Sequence, residues 1–497
     1  MYNLFMKNIR HLTVKMIHGL MLVILLAACS PAAMPTPASE PVPTETETSL
    51  PAAPTDPTVE ATPTSAPTAT VVADSSSDGG PWLVAMTQGD AQLVAVKPDG
   101  STINIQLPDG LPIWSARDLT LGASPHGGWL AVRTGNRDYT GLKLHLIHLP
   151  DGEVKTLTPL LSEENEARVQ AADLSSLPAA ALAVTQPDTL SWSPDGRYLA
   201  YIAAVDGRSS DLYVYDTRKD QTRRITHGSY ECAMPFWSPD GQFILMEQVL
   251  RFTTNSQWVT HSVWAISIDR TNDLRKLYVP PADSIGEIVL GWKSPDVMLV
   301  STKTLLAQRR AREVNLERRR ESVMVASEFD EIAYDPKSQS FAFTISAQTA
   351  ASTELVPGLY LVKPYKAARL AQMGNWSHLE WSAGMGRFIA SGMQGVISVS
   401  PAGDLTLIKN EIQAEASPDG QWIAAWGDGL RLYGANGKLL QTVSNQTVDE
   451  IVWKSDSNAV YYRAGDKLYA AVFPLAAEEK AASGLMQGSE GGMGWLP

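Results

Sequence analysis

The pentapeptide Trp192-Ser193-Pro194-Asp195-Gly196 returns almost unchanged at Trp237-Ser238-Pro239-Asp240-Gly241, and worn copies run through most of the chain. Each copy is followed by a short apolar strand pattern, a polar gap and a second strand pattern. A fixed turn recurring at about forty residues marks a stacked β-architecture, in which no unit buries its apolar face alone. The turn chemistry is explicit. Proline sets φ, aspartate caps the turn, and glycine takes the positive φ.

The clearest unit spans residues 190–227. Period-2 alternation predicts strand a over 190–192, b over 198–203, c over 211–216 and d over 222–226. Four antiparallel strands of this kind form one propeller blade. The same frame fits Ala123-Ser124-Pro125-His126-Gly127, residues 236–277, and Trp292-Lys293-Ser294-Pro295-Asp296, where the turn glycine is lost. It fits Tyr334-Asp335-Pro336, Trp381-Ser382-Ala383-Gly384, Ala416-Ser417-Pro418-Asp419-Gly420 and Trp453-Lys454-Ser455-Asp456-Ser457.

A further unit over residues 82–107 lacks the opening turn, and the last unit lacks a clear d strand. Residues 103–107 are expected to supply that strand and close the ring. The fold expected is an all-β propeller of four-stranded antiparallel blades over residues 81–475, with eight blades favoured and seven the alternative. Two segments break the rhythm. Residues 159–187 are predicted to hold a short helix, and the Gly-rich 476–497 a flexible tail.

The chain begins differently. Lys7, Arg10 and Lys15 precede a purely apolar run, with no carboxylate before residue 29. That is a charged region followed by an apolar one too short to remain as a membrane span. Leu26-Ala27-Ala28-Cys29 resembles the bacterial lipobox, which implies cleavage before Cys29 and diacylglycerol attachment to its sulfur. Two acyl chains hold a protein firmly on a membrane where one does not. Residues 29–80 are Pro, Thr, Ala, Ser and Glu with almost no large apolar side chain. They are expected to form a disordered tether, because they cannot offset their ordering entropy.

The formal charge is −13, and removing residues 1–28 makes it three units more negative. An acidic surface argues against nucleic acid as a partner, since phosphate contacts need a basic footprint. Cys232 is the only other cysteine and is expected to be buried and inert.

The Trp-Ser-Pro-Asp-Gly repeat with its aliphatic strand resembles the WD40-like PD40 repeat of TolB-type β-propellers, over roughly residues 115–473. The resemblance implies the fold. Where TolB carries a folded α/β domain ahead of its propeller, this chain has a leader and a tether, so that role does not carry over whole. The same propeller type also precedes the hydrolase domain of prolyl-oligopeptidase-like enzymes. No Gly-x-Ser-x-Gly elbow occurs here.

No catalytic residue, metal site or cofactor is predicted. His145 and His148 lie three apart, on opposite faces of a strand, and cannot chelate one metal together. The residues Trp192, Pro194, Asp195, Gly196, Trp237, Pro239, Asp240, Gly241, Pro418, Asp419 and Gly420 are read as structural turns. The sharpest charge feature is Arg309, Arg310, Arg312, Arg318, Arg319 and Arg320, interleaved with Glu313, Glu317 and Glu321. It is either a solvated hairpin or a docking spot for an anionic group. Trp258, at the end of a long b–c hairpin, is a second candidate contact, for sugar or peptide.

The expectation is a monomeric, lipid-anchored propeller at the cell membrane, facing the extracytoplasmic side. It binds a protein, peptide or envelope glycan. The alternative is an enzyme, hydrolase or lyase, with its active site in the channel.

Overall fold

The computed structural model describes residues 81–88, 92–97, 100–173, 176–252, 258–269, 274–304, 308–318, 320–473, 478–483, 485–486 and 492–496. Residues 1–80, with the expected leader, Cys29 and the expected tether, lie outside the described residues, as do residues 253–257 and Arg319.

Nine antiparallel sheets form among the described residues, eight of four strands and one of three. The ring therefore has nine blades rather than eight or seven. Blade 1 comprises Trp82–Met86, Gln92–Val96 and Thr102–Gln106, with Met493–Leu496 as its innermost strand. Blade 2 holds Trp129–Thr134, Lys143–His148 and Glu153–Pro159. Blades 3 to 9 follow in chain order, ending with Glu450–Trp453, Ala459–Ala464, Lys467–Val472 and Glu478–Ser483.

The miscount has one cause. Blade 1 has no opening turn because its inner strand arrives from the other end of the chain. Trp82 pairs with Leu496 and Ala85 with Met493. Residues 103–107 instead form the outer edge of blade 1. The last blade has its own outer strand, Glu478–Ser483, paired to Lys467–Val472. Its polar sequence hides it, because an outermost strand does not need a buried face. Where the C-terminal segment is described, it supplies two blade strands, Glu478–Ser483 and Met493–Leu496. Its glycines answer steric demands: a Cβ on Gly494 would stand 2.2 Å from the Leu119 carbonyl, and one on Gly492 2.6 Å from the Ala116 Cβ.

The repeat turn acts within and between blades. Ser193 Oγ donates to Asp195 Oδ1 at 2.6 Å, and that carboxylate accepts the Arg197 N–H at 3.1 Å. Ser238 with Asp240 and Ser417 with Asp419 repeat the bond at 2.6 Å. Gly196, Gly241 and Gly420 close the turns at φ of 66°, 67° and 71°, a region that costs other residues strain. Each tryptophan reaches back one blade. Trp192 Nε1 donates to the Gly122 carbonyl at 2.7 Å, Trp237 to Ser191 at 3.0 Å and Trp453 to Glu415 at 3.3 Å.

The apolar cores lie mainly between neighbouring blades, where b and c strands such as Tyr198–Ala203 and Asp211–Asp216 are almost wholly buried. Outer strands such as Gln221–Arg224 are largely exposed. Antiparallel order gives the ring two rims. One carries the a–b and c–d hairpins, the other the b–c hairpins and the d–a links.

The insertion between blades 2 and 3 forms two helices, Glu163–Gln170 and Ala179–Val184. Ser162 caps the first by accepting the Asn165 N–H. The second is buried from Ala180 onward. A fully buried ion pair holds its end: Arg133 donates to Asp118 at 2.6 and 3.0 Å, and to the carbonyls of Val184 and Gln186 at 3.0 and 2.7 Å.

Candidate functional site

Blades 4 and 5 depart from the frame. The b and c strands of blade 4, Phe243–Phe252 and Trp258–Ser267, have ten residues each, and the first strand of blade 5, Ser284–Ser294, has eleven. The extra length extends both blades on the b–c rim. A cleft of about 580 Å³ opens there, between the link leaving blade 4 and the outer strands of blade 5. Val279, Pro280 and Pro281 form an apolar lip, and Val279 is 59% exposed. Arg309, Arg310 and Arg312 face Glu321 and Glu328 across it.

Arg312 is buried at the base, where it donates to Glu287 at 2.7 Å, Glu321 at 2.5 Å and Thr302 at 2.8 Å. Its guanidinium lies over the Tyr278 ring, 4.5 Å from the centroid. Arg309 pairs with Asp283 at 2.8 Å and approaches Glu328 at 3.7 Å. Arg310 is exposed, and no carboxylate among the described residues pairs with it. The cleft lining therefore carries charges of both signs, three arginines against two glutamates, and Arg310 is left without an ion-pair partner among the described residues.

Behind Arg312 lies a second buried carboxylate. Glu247 accepts the Trp258 Nε1–H at 3.0 Å, the Glu287 backbone N–H at 2.8 Å and the Thr260 hydroxyl. Burial pushes its carboxyl up to about 7, against those hydrogen bonds, and the nearby Glu287 charge adds to the rise. Burial also raises Glu287, opposed by Arg312, Thr302 and Tyr278. Glu287 thus has the Arg312 guanidinium to offset its burial, whereas Glu247 is held by neutral donors; buried charge is costly unless every partner stays in place.

The arginine run is not one patch. Arg309, Arg310 and Arg312 stand on the b–c rim, whereas Arg318 and Arg320 lie at the c–d hairpin on the opposite rim. Arg310 and Asn315, which pairs with Arg320, are separated by five residues of strand, or roughly 17 Å at about 3.4 Å per residue. Trp258 is half-buried. Its ring lies over Gly286, 3.4 Å from where a Cβ would stand, and its N–H is committed to Glu247.

His145 is buried between Thr134 and Thr156, and His148 bonds Asp151 at 2.9 Å on the rim. Cys232 is buried, and burial pushes its thiol up to about 12. Among the described residues no group of three or more His, Cys, Asp or Glu is placed to hold a metal ion.

Sequence reasoning missed Glu247, Glu287 and Tyr278. A signal was present: single glutamates interrupt the apolar strands Phe-Ile-Leu-Met-Glu and Ile-Gly-Glu-Ile-Val. It also missed Glu380 and Glu415, on the innermost strands of blades 7 and 8. Glu380 is exposed on such a strand and so faces the central channel. Burial, with the Glu380 charge added, pushes Glu415 up to about 7.

No protein-family profile matches the chain. Over 55 residues it is 44% identical to the uncharacterized peptidase YuxL of Bacillus subtilis (strain 168), a match spanning 11% of this chain and 8% of that protein. A crystal structure of a eukaryotic initiation factor superposes with a TM-score of 0.53 at 12% identity, covering 84% of this chain and 99% of the other. Dipeptidyl peptidase 4 of Porphyromonas gingivalis gives a TM-score of 0.45 at 10% identity, over 77% and 64% of the two chains. The chain is a β-propeller with a partial sequence relative among peptidases.

Proposed function

We propose that this chain is a lipid-anchored, extracytoplasmic binding propeller that receives an extended peptide segment of a protein partner in the blade 5 cleft. The observation that carries the reading is the cleft itself. It presents an exposed guanidinium, Arg310, which no carboxylate among the described residues pairs with, in the same cleft as an apolar lip, exposed Glu321 and half-buried Glu328. A peptide offers the matching set of apolar side chains, charges of both signs and backbone groups. The partial peptidase relative supports peptide as the ligand class. The leader and Leu26-Ala27-Ala28-Cys29 support the anchor and the extracytoplasmic side.

Affinity capture from detergent-solubilised membranes tests it. Arg310→Glu is expected to reduce partner recovery about tenfold, as a lost charge contact in a specific interface does. Arg318→Glu, on the other rim, is expected to leave recovery unchanged. Equal recovery with Arg310→Glu would overturn the assignment.

A further inference from the structure

A second charged feature lies on the a–b rim, away from the blade 5 cleft. The c–d hairpin of blade 6 joins Gly358–Val362 to Arg369–Met373 and reads Lys363-Pro364-Tyr365-Lys366-Ala367-Ala368. With Pro401 and Ala402 of blade 7 it encloses a cleft of about 300 Å³. Lys363, Lys366 and Arg369 stand at its edge and are exposed, while Leu361 and Val362 form a buried apolar floor. Arg369 is fixed in place by donating to the Ala402 carbonyl at 2.8 Å. It lies across Gly403, where a Cβ would stand 2.0 Å from the guanidinium.

No carboxylate among the described residues pairs with these three cations. The acids on the adjoining turns are engaged elsewhere, Asp335 by Ser338 and Asp404 by Ser400. Three cations at one cleft, none paired with a carboxylate among the described residues, stand out on a chain of net charge −13. Tyr365, between the lysines, is 70% exposed at φ 60°. An aromatic ring among cations over an apolar floor is the composition that seats at a lipid headgroup layer. The chain also enters the propeller on this rim, because Pro81 leads directly into the b strand Trp82–Met86.

We propose that this hairpin docks the a–b rim onto anionic glycerophospholipid headgroups, with Lys363, Lys366 and Arg369 receiving the phosphates and Tyr365 seated among the headgroups. The b–c rim, with the blade 5 cleft, then faces away from the bilayer. The proposal relies on the lipid-anchor reading only to bring the propeller to a membrane.

The test uses the full chain with a fluorophore sensitive to polarity, attached through Ala367→Cys in the hairpin or Met393→Cys on the opposite rim. The native thiols interfere little, since Cys232 is buried, and the unsubstituted chain gives the background. With phosphatidylglycerol vesicles, the probe at 367 is expected to brighten and shift to the blue; with phosphatidylcholine it is not. The probe at 393, on a side chain 91% exposed, is expected to stay silent on both. Lys363→Glu with Lys366→Glu is expected to weaken the response at least tenfold, about fivefold per lysine near an anionic surface.

An equal response on both lipids, a response at 393 instead of 367, or abolition by millimolar glycerol phosphate would overturn the proposal. The last result would assign the cleft to a soluble phosphate. Flotation of the chain with vesicles reads the anchor separately. A chain that fails to float but keeps the lipid-dependent signal contradicts the anchor and not the docking.

Discussion

Glu247 sits mid-strand, directly after the apolar run Phe243–Met246, and is 3% exposed. Its raised carboxyl makes ionisation a penalty on the fold. Below the ordinary value of 4.5 both folded and unfolded chains hold the proton, and the penalty is absent. Between 4.5 and about 7 only the unfolded chain releases it, so stability falls as pH rises, and the loss is complete above about 7. The full excursion is on the order of 3 kcal/mol. Glu247→Gln is expected to remove that share of the decline, so thermal unfolding from pH 5 to 7.5 should show a shallower slope than the parent. An unchanged slope would contradict the assignment. The slope is the quantity to compare, because glutamine cannot accept from Trp258, Thr260 and Glu287 together and the variant starts from a lower stability. The carboxylates of the repeat turns are placed differently. Asp195, Asp240 and Asp419 stay near the surface and spend their oxygens on turn N–H groups and a serine hydroxyl, which is why their recurrence reports fold rather than chemistry.

At the scale of elements, four residues close the ring. Met493–Leu496 forms the innermost strand of blade 1 and touches both blade 9 and the short helix Asp118–Leu121. Gly494→Val places a branched side chain against the Leu119 carbonyl, where even a Cβ lacks room. It is expected to lower stability by about 1–3 kcal/mol or more, as overpacking does. Backbone amides of Trp82–Met86 should lose hydrogen-exchange protection first. Parent-like protection in those amides would contradict the closure. Much of the ring was legible because Trp-Ser-Pro-Asp-Gly combines a turn, a cap and an interblade hydrogen bond in five residues. The closure was not legible. Glycine-rich sequence reads as disorder unless the neighbouring backbone is known, and Glu478–Ser483 carries no apolar alternation to announce a strand. The insertion at 159–187 was visible as a break in rhythm, but its buried second helix depends on Arg133 and Asp118, which lie at least 45 residues before that helix.

For the whole molecule, the ring splits a linear charge pattern between two rims. The run from Arg309 to Arg320 looked like one basic patch because it is contiguous in sequence. An intervening strand carries its two ends to opposite rims, and carboxylates from Asp283, Glu287, Glu321 and Glu328 meet much of what remains. The cleft that results is assembled from the link leaving blade 4, three strands of blade 5 and the link into blade 6, which no local pattern reveals. The proposed function seats the partner in this cleft. Photo-crosslinking from Ser322, an exposed residue of the cleft wall, tests it most directly in intact membranes. One dominant adduct is expected from position 322, and it disappears with Arg310→Glu. Adducts forming instead from position 218 on the a–b rim, with 322 silent, would contradict it.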